Sequence, residues 1–415
     1  MDVIVVGAGI GGLTLALMLK RRGIAVRVYE AASEIRPIGV GISVLPHASR
    51  ELDELGLTPE LLKVAVEAKE SCFFNRFGQF IFKEPVGRFA GYPWPQLQIH
   101  RGDLQQVLYR AFVAEAGADR VVTGRRCVRV DQGGSSATAT FTTGPDGATE
   151  TVTGAAVIAA DGIHSTVRRQ LFPDEGGPIY SGVNMWRGVT RWKPFLTGQS
   201  YVRAGWLTHG KMVIYPIRNA IDGDGNQLIN WVAEIETPKH NTQDWNKAGR
   251  LEDFIGAFAD WHFDFLDVPA MIRAADLILE YPMVDKDPLT CWSFGRVTLL
   301  GDAAHPMYPR GSNGAGQAIL DARSLADNLA ATNDVEAALK AYEDERLAAT
   351  AKVVRTNRTT PPDAILREVY LRSGDKPFDR IEDVINPAEL AAITNSYKKV
   401  AGYDRQTLEG KRAAG

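Results

Sequence analysis

Two β-branched runs, Asp2–Val6 and Ala25–Tyr29, flank a stretch of helical periodicity from Leu13 to Arg22 that Gly23 stops. A strand–helix–strand start predicts a parallel sheet. Helical spacing returns at Pro46–Leu55 and Asp103–Ala116, and Ser71–Phe82 between them has aromatic strand character. Over 120–160 the pattern shortens. Val121-Val122, Cys127–Val130, Ala137–Thr142, Thr149–Thr153 and Ala156–Ala159 alternate with Gly-rich turns, which predicts an antiparallel meander attached to the parallel sheet. Strand signal rich in Trp, Tyr and Val runs from Ile179 to Glu236, and residues 251–279 turn helical. Val297–Leu300 reads as a last buried strand, and strong helices are expected over 314–331 and 335–358. Shorter helical segments follow Pro361-Pro362, and Gln406–Gly415 reads as a frayed end.

Composition narrows the class. Apolar residues make up 45% of the 415, enough for a large core, and the net charge of −3 argues against a nucleic-acid binder. Val3–Leu19 comes closest to a membrane span, but glycines and Thr14 interrupt it and it lacks a basic leader. A cytoplasmic protein without a membrane span is expected. Cys72, Cys127 and Cys291 are far apart, which excludes a disulfide scaffold, a zinc ribbon and a redox dithiol. The seven histidines are scattered, so no metal site is expected. Asp222-Gly-Asp-Gly-Asn226 reads as a hairpin turn, because Gln227 and Ala233 stand where a calcium loop needs Gly and Glu.

Three motifs carry the chemistry. Gly7-Ala8-Gly9-Ile10-Gly11-Gly12 follows a strand and opens a helix. Gly7 permits the tight turn, Gly9 lets the backbone approach a diphosphate, and Gly12 lets helix and sheet pack closely. Glu30, ending the second strand, can accept hydrogen bonds from a ribose diol. Together they point to a dinucleotide, without separating FAD from NAD. The second motif is Asp161-Gly162-Ile163-His164-Ser165-Thr166-Val167-Arg168, and the third is Gly301-Asp302-Ala303-Ala304-His305-Pro306, followed by Gly311–Gln317 at a helix start. An Asp after a buried strand can hold a ribityl hydroxyl, and a glycine-rich helix start can stabilise the negative edge of a reduced flavin. His305 reads as a structural residue fixing this turn.

In this order the motifs make the sequence resemble the FAD-dependent aromatic hydroxylases of the p-hydroxybenzoate hydroxylase type, over roughly residues 1–350. Ser33–Ile42, Gln98–Leu104, Met185–Val189 and Tyr281–Pro288 look closest to the bacterial phenazine monooxygenase branch. The resemblance implies an α/β fold: a Rossmann-like parallel sheet with an antiparallel meander, a smaller β-sheet-based substrate domain and C-terminal helices. The FAD-binding domain would comprise 1–72, 97–178 and 280–360, the substrate domain 73–96 and 179–279, and the C-terminal helices and tail 361–415.

It also implies roles. Gly7, Gly9, Gly11, Gly12, Glu30, Ala31 and Val128 would line the adenosine-diphosphate part of FAD, Arg101 its pyrophosphate region, and Asp161 the groove shared with the nicotinamide donor. Asp302 would hold the ribityl chain, and Asn313, Gly314 and Ala315 would present N–H groups to the isoalloxazine. Gly39 and Gly41, in the Arg36–Ile42 loop, would give the backbone room for flavin movement. Pro309 falls where a backbone carbonyl near the ring is expected, although Tyr308-Pro309 replaces the Pro-Pro of some members. Met185, Trp206, Tyr215 and Pro306 are candidate substrate contacts, in a wall that also holds Trp186, Met212 and Trp231; Tyr215 and His209 are candidate catalytic side chains.

The expected reaction is NADH- or NADPH-driven hydroxylation of an electron-rich aromatic or N-heteroaromatic ring by O2 through a flavin C4a-hydroperoxide, with or without loss of a carboxyl group. A flavin oxidase or dehydrogenase, and a non-catalytic flavin-binding protein, are the alternatives. No nucleic-acid partner is expected, and the chain would act as a monomer or homodimer.

Overall fold

The computed structural model describes every residue except Met1, Ile38, Pro145, Asp146, 238–246, Ala414 and Gly415. Ile38, in the loop expected beside the flavin, therefore lies outside the described residues.

The two N-terminal runs pair in parallel, as β-branched strands joined by a helical crossover should. Ala156–Ala159 lies on the other side of Asp2–Val6, and Val297–Leu299 lies beyond it, all parallel. Val121-Val122 extends the sheet past Tyr29, and Ser293-Phe294 closes the far edge antiparallel. The first and last of the short runs expected in the meander thus belong to the parallel sheet. The meander itself is Arg126–Gly133, Ser136–Thr142 and Thr149–Gly154. It covers the sheet through Phe141, which stacks on Tyr29 at 4.5 Å. The crossover helix spans Ile10–Arg21 and packs against the helix Gly314–Ala331.

A second sheet of eight strands runs in the order 247–248, 278–285, 179–192, 227–236, 211–218, 200–205, 70–74 and 80–85. Ser71–Phe82 is thus two strands joined by a turn in which Asn75 Oδ1 accepts from the N–H groups of Phe77 and Gln79. Two expected domain cuts, at 72/73 and 279/280, fall inside strands of this sheet. Asp222 accepts the N–H groups of Asp224 and Asn226 in the turn between the strands Lys211–Arg218 and Gln227–Glu236, which is the expected hairpin.

Side chains alternate across this sheet. Trp186, Met212, Ile214 and Trp231 face an aromatic cluster supplied by residues 254–272, and Met185, Val213, Tyr215 and Val232 face the opposite way. The 251–279 stretch is not the expected helical region. It has short turns at Leu251–Asp253 and Ile255–Phe258, a strand pair at 262–267, and one helix, Val268–Arg273. Phe263 and Phe265 both join the cluster, and that two-residue spacing cannot lie on one face of a helix.

The chain ends in helices Ala364–Ser373, Pro387–Ala401 and Arg405–Ala413. The expected fraying is absent up to Ala413, because Leu408 is buried. No helix among the described residues is long and apolar enough to cross a membrane.

Candidate active site

Gly7 adopts φ +104°, and a Cβ there would stand 2.4 Å from the Ala160 carbonyl oxygen. A Cβ on Gly12 would stand 2.1 Å from the Gly7 oxygen, so both positions require glycine. The Ile10–Arg21 helix starts with no side-chain cap, which leaves its first N–H groups pointing out of the sheet's end. Glu30 is fixed by two backbone donors, the N–H groups of Ala8 and Ala32, each at 2.8 Å. Each carboxylate oxygen keeps a lone pair for a further donor.

Two cavities meet here. One, of about 400 Å³, is lined by Gly7, Gly9, Glu30, Ala31, Cys127 and Asp161 among others. The second, of about 310 Å³, is lined by Gly9, Gly11, Gly41, Asp302, Pro309, Asn313, Gly314 and Ala315 on one side and by Met185, Arg187, Tyr201 and Tyr215 on the other. Gly9, Arg101, Ala160 and Gly162 line both, forming a continuous trough across the carboxyl ends of the parallel strands. Two bare helix starts face this trough, for the Gly314–Ala331 helix also lacks a side-chain cap. Its Asn313 side chain is turned to His47, at 2.9 Å.

The structure separates the remaining candidates. Gly12 lies beneath the trough, in the helix–strand contact. Val128 is exposed on the meander, and its neighbour Cys127 points inward instead, with burial pushing the thiol up to about 12. Pro306 is buried behind Met307, which takes the lining position. Trp206 does not line the cavity but sits behind its wall, between the Met185–Tyr215 cluster and Phe73, Ile81 and Ile365, and His209 is exposed, 3.5 Å from Asp375. Gly205 diverts the chain there: at φ +71° it lies tight against Trp261 and ends the strand before either residue. Trp186, Met212 and Trp231 lie on the sheet's far face. Gly41 has no free room either, since a Cβ there would meet the Asn230 side chain at 2.6 Å.

Several contacts of the site were not anticipated. Arg187 donates to the Gly41 carbonyl at 2.9 Å, and Asn230 accepts the Gly41 N–H at 2.7 Å. Tyr201 stacks on Tyr215 at 4.8 Å and its hydroxyl reaches Ser312 at 3.0 Å. Glu234 lines the cavity and accepts Lys211 at 3.0 Å on both oxygens; Lys211 also pairs with Asp363, which holds Arg203 at 3.0 Å. Arg168, inside the second motif, donates to the carbonyls of Ala303 and Ala304 and so ties that motif to the third. His305 pairs with Asp321 at 2.5 Å, and Asp321 also accepts from Arg346, which fixes the turn after Asp302.

Desolvation by the surrounding protein sets the titration of the site, although the Asp302 side chain is open to the trough. Asp302 and Asp161 are both pushed above the ordinary carboxylate value by desolvation, opposed at Asp302 by His305 and Arg101 and at Asp161 by hydrogen bonds from Ser165 and Thr166. The Tyr215 phenol is pushed upward by burial and then by Tyr201.

A family model described as an FAD binding domain matches residues 1–219 and 283–357. The phenazine 1,6-dicarboxylic acid hydroxylase PhzS of Lysobacter antibioticus is 41% identical over 404 residues, covering 96% of this chain and 97% of that one. This chain belongs to the FAD-dependent aromatic hydroxylases. The 3-amino-4-hydroxybenzoate 2-monooxygenase of Streptomyces cremeus, a relative in this family, is 31% identical over 96% of the chain and 95% of its own length. The 6-hydroxynicotinate 3-monooxygenase of Bordetella bronchiseptica is 29% identical over 90% and 93%. Klebsiella pneumoniae HpxO, solved with FAD and uric acid, shares the fold with a TM-score of 0.75 at 24% identity, covering 98% of this chain and 97% of that one.

The trough of this hydroxylase fits FAD on its own chemistry. It offers a carboxylate with free lone pairs, two uncapped helix starts and Asp161 Oδ1, which is buried with no protein partner.

Proposed function

We propose that this chain is an NADH- or NADPH-dependent monooxygenase that places one atom of O2 on an electron-rich aromatic or N-heteroaromatic ring bearing a carboxylate. The observation that carries this reading is the continuous trough, whose Asn313 end lies against the stacked pair Tyr201–Tyr215. The substrates named for the Lysobacter, Streptomyces and Bordetella relatives are three different ring systems that share a carboxylate.

Glu30 would hold the adenosine ribose, Arg101 and the first helix start the diphosphate, Asp302 the ribityl chain, and the Gly314 helix start the electron-rich edge of the ring system. When bound, FAD supplies the hydride acceptor and the site of oxygen transfer. The protein supplies position and dryness. Met185, Val213, Val232, Leu300 and Met307 are apolar wall, and Tyr215, kept neutral, orients the ring through its hydroxyl.

The test supplies ¹⁸O2 with NADH or NADPH and a panel of hydroxylated aromatic acids to the yellow holoprotein. A hydroxylated product carrying the label is expected. Hydrogen peroxide as the sole product with every ring would make the protein an oxidase. A flavin that neither nicotinamide reduces would make it a carrier.

A further inference from the structure

Resting on the reading that the 310 Å³ cavity receives the aromatic substrate, we propose that Arg187 is the anchor for that substrate's carboxylate. Among the described residues lining the cavity, the cations are Arg101 and Arg187. Arg101 stands where the two cavities join, in reach of a diphosphate. Arg187 stands away from that junction, in the middle of the strand Ile179–Trp192, with uncharged Val232 and Leu279 as its cross-strand neighbours.

The guanidinium is underused. One Nη2 hydrogen goes to the Gly41 carbonyl at 2.9 Å and the guanidinium also meets the Tyr215 hydroxyl, whereas Nε is buried and meets no protein acceptor. The two acids lining the cavity do not neutralise it: Glu234 is held by Lys211, and Asp302 belongs to the opposite wall with the third motif. Lys211 and Arg203 are themselves balanced by Glu234 and Asp363. The cavity's substrate side is thus left with one cation lacking a counter-charge, in mostly apolar surroundings. A planar guanidinium fork matches a carboxylate, and a bound carboxylate would offset the cost of the half-buried charge. The Tyr201–Tyr215 stack offers the flat surface the ring needs in the same cavity. Charge and shape together specify a flat aromatic anion and select against the neutral amide or ester of the same ring.

The holoprotein is titrated with phenazine-1,6-dicarboxylate, 3-amino-4-hydroxybenzoate and 6-hydroxynicotinate and with their carboxamides, reading the change in flavin absorbance. The wild type is expected to bind at least one acid roughly tenfold or more tighter than its amide. R187Q is expected to weaken that acid by about 30- to 100-fold while moving the amide less than about threefold, so that the preference disappears. R187K keeps the charge and is expected to retain part of the preference; it carries the comparison should R187Q lose FAD. Acid preference that persists undiminished in the Arg187 variants, or a wild type that binds acid and amide alike, overturns the proposal and leaves the aromatic reading of the cavity standing. If no acid or amide shifts the wild-type flavin or is hydroxylated, the reading of the cavity falls and the proposal falls with it.

Discussion

Buried beside Tyr201, the Tyr215 phenol ionises above the ordinary tyrosine value, and Arg187 offsets only part of that shift. It is therefore a neutral hydrogen-bond donor and acceptor across the working pH range, unsuited to taking a proton as a phenolate. Y215F should keep FAD and stability but lower coupled product formation by roughly tenfold or more, with no new inflection in the rate below about pH 9. Stopped-flow reduction and product yield check this. Gly12 makes a harder demand. G12A would press a methyl into the Gly7 carbonyl, costing about 3 kcal/mol, and should yield colourless protein with a lowered melting temperature. Glu30 and the motif glycines could be read from the sequence because backbone geometry dictates those residue types at fixed spacing. Arg187 and Glu234 could not, since what gives each its place is a partner on another element.

Among the elements, the strands and helices with one repeating period were the readable ones: Val297–Leu299 and Gly314–Ala331 stand where their pattern put them. Pairing was not readable for short runs. Val121-Val122 looks like a hairpin strand, yet its hydrogen bonds go to a parallel neighbour. The substrate wall was half readable for a simple reason: a list of aromatic residues does not say which face each occupies, and strand alternation sends Trp186 and Trp231 one way and Met185 and Tyr215 the other. The segment before the Gly314 helix is held by long-range contacts. Asn357 donates to the Tyr308 carbonyl at 3.0 Å and accepts the Tyr397 hydroxyl at 2.8 Å. N357A removes both bonds in a buried place and should cost about 2 kcal/mol by urea unfolding. Because Pro309 lines the cavity next to that carbonyl, the fraction of reducing equivalents lost as hydrogen peroxide should rise as well.

For the whole molecule, buried charge links the sheets to the C-terminal helices. The Asp321 carboxyl is held below its ordinary value by His305 and Arg346, against the opposing effect of burial. A carboxylate depressed in the folded state contributes its full stability above the unfolded value and loses it as pH falls through the folded one. Melting temperature measured from about pH 7 to pH 3 should therefore decline on the acid side, and D321N, already lower at neutrality, should decline less. D363N leaves Lys211 with Glu234 alone and Arg203 without a counter-ion, and should cost roughly 3 kcal/mol in chemical unfolding.

The Lys211–Asp363 pair also bears on how the chain is made. During synthesis from the N-terminus, the middle of the second sheet exists long before residue 363 has been added, so its lysine cannot yet be shut away from water at low cost. Until then the lysine has Glu234 alone, and its second counter-charge comes only with the last helices. A chain halted just short of Asp363 would hold Lys211 and Arg203 with one carboxylate between them instead of two.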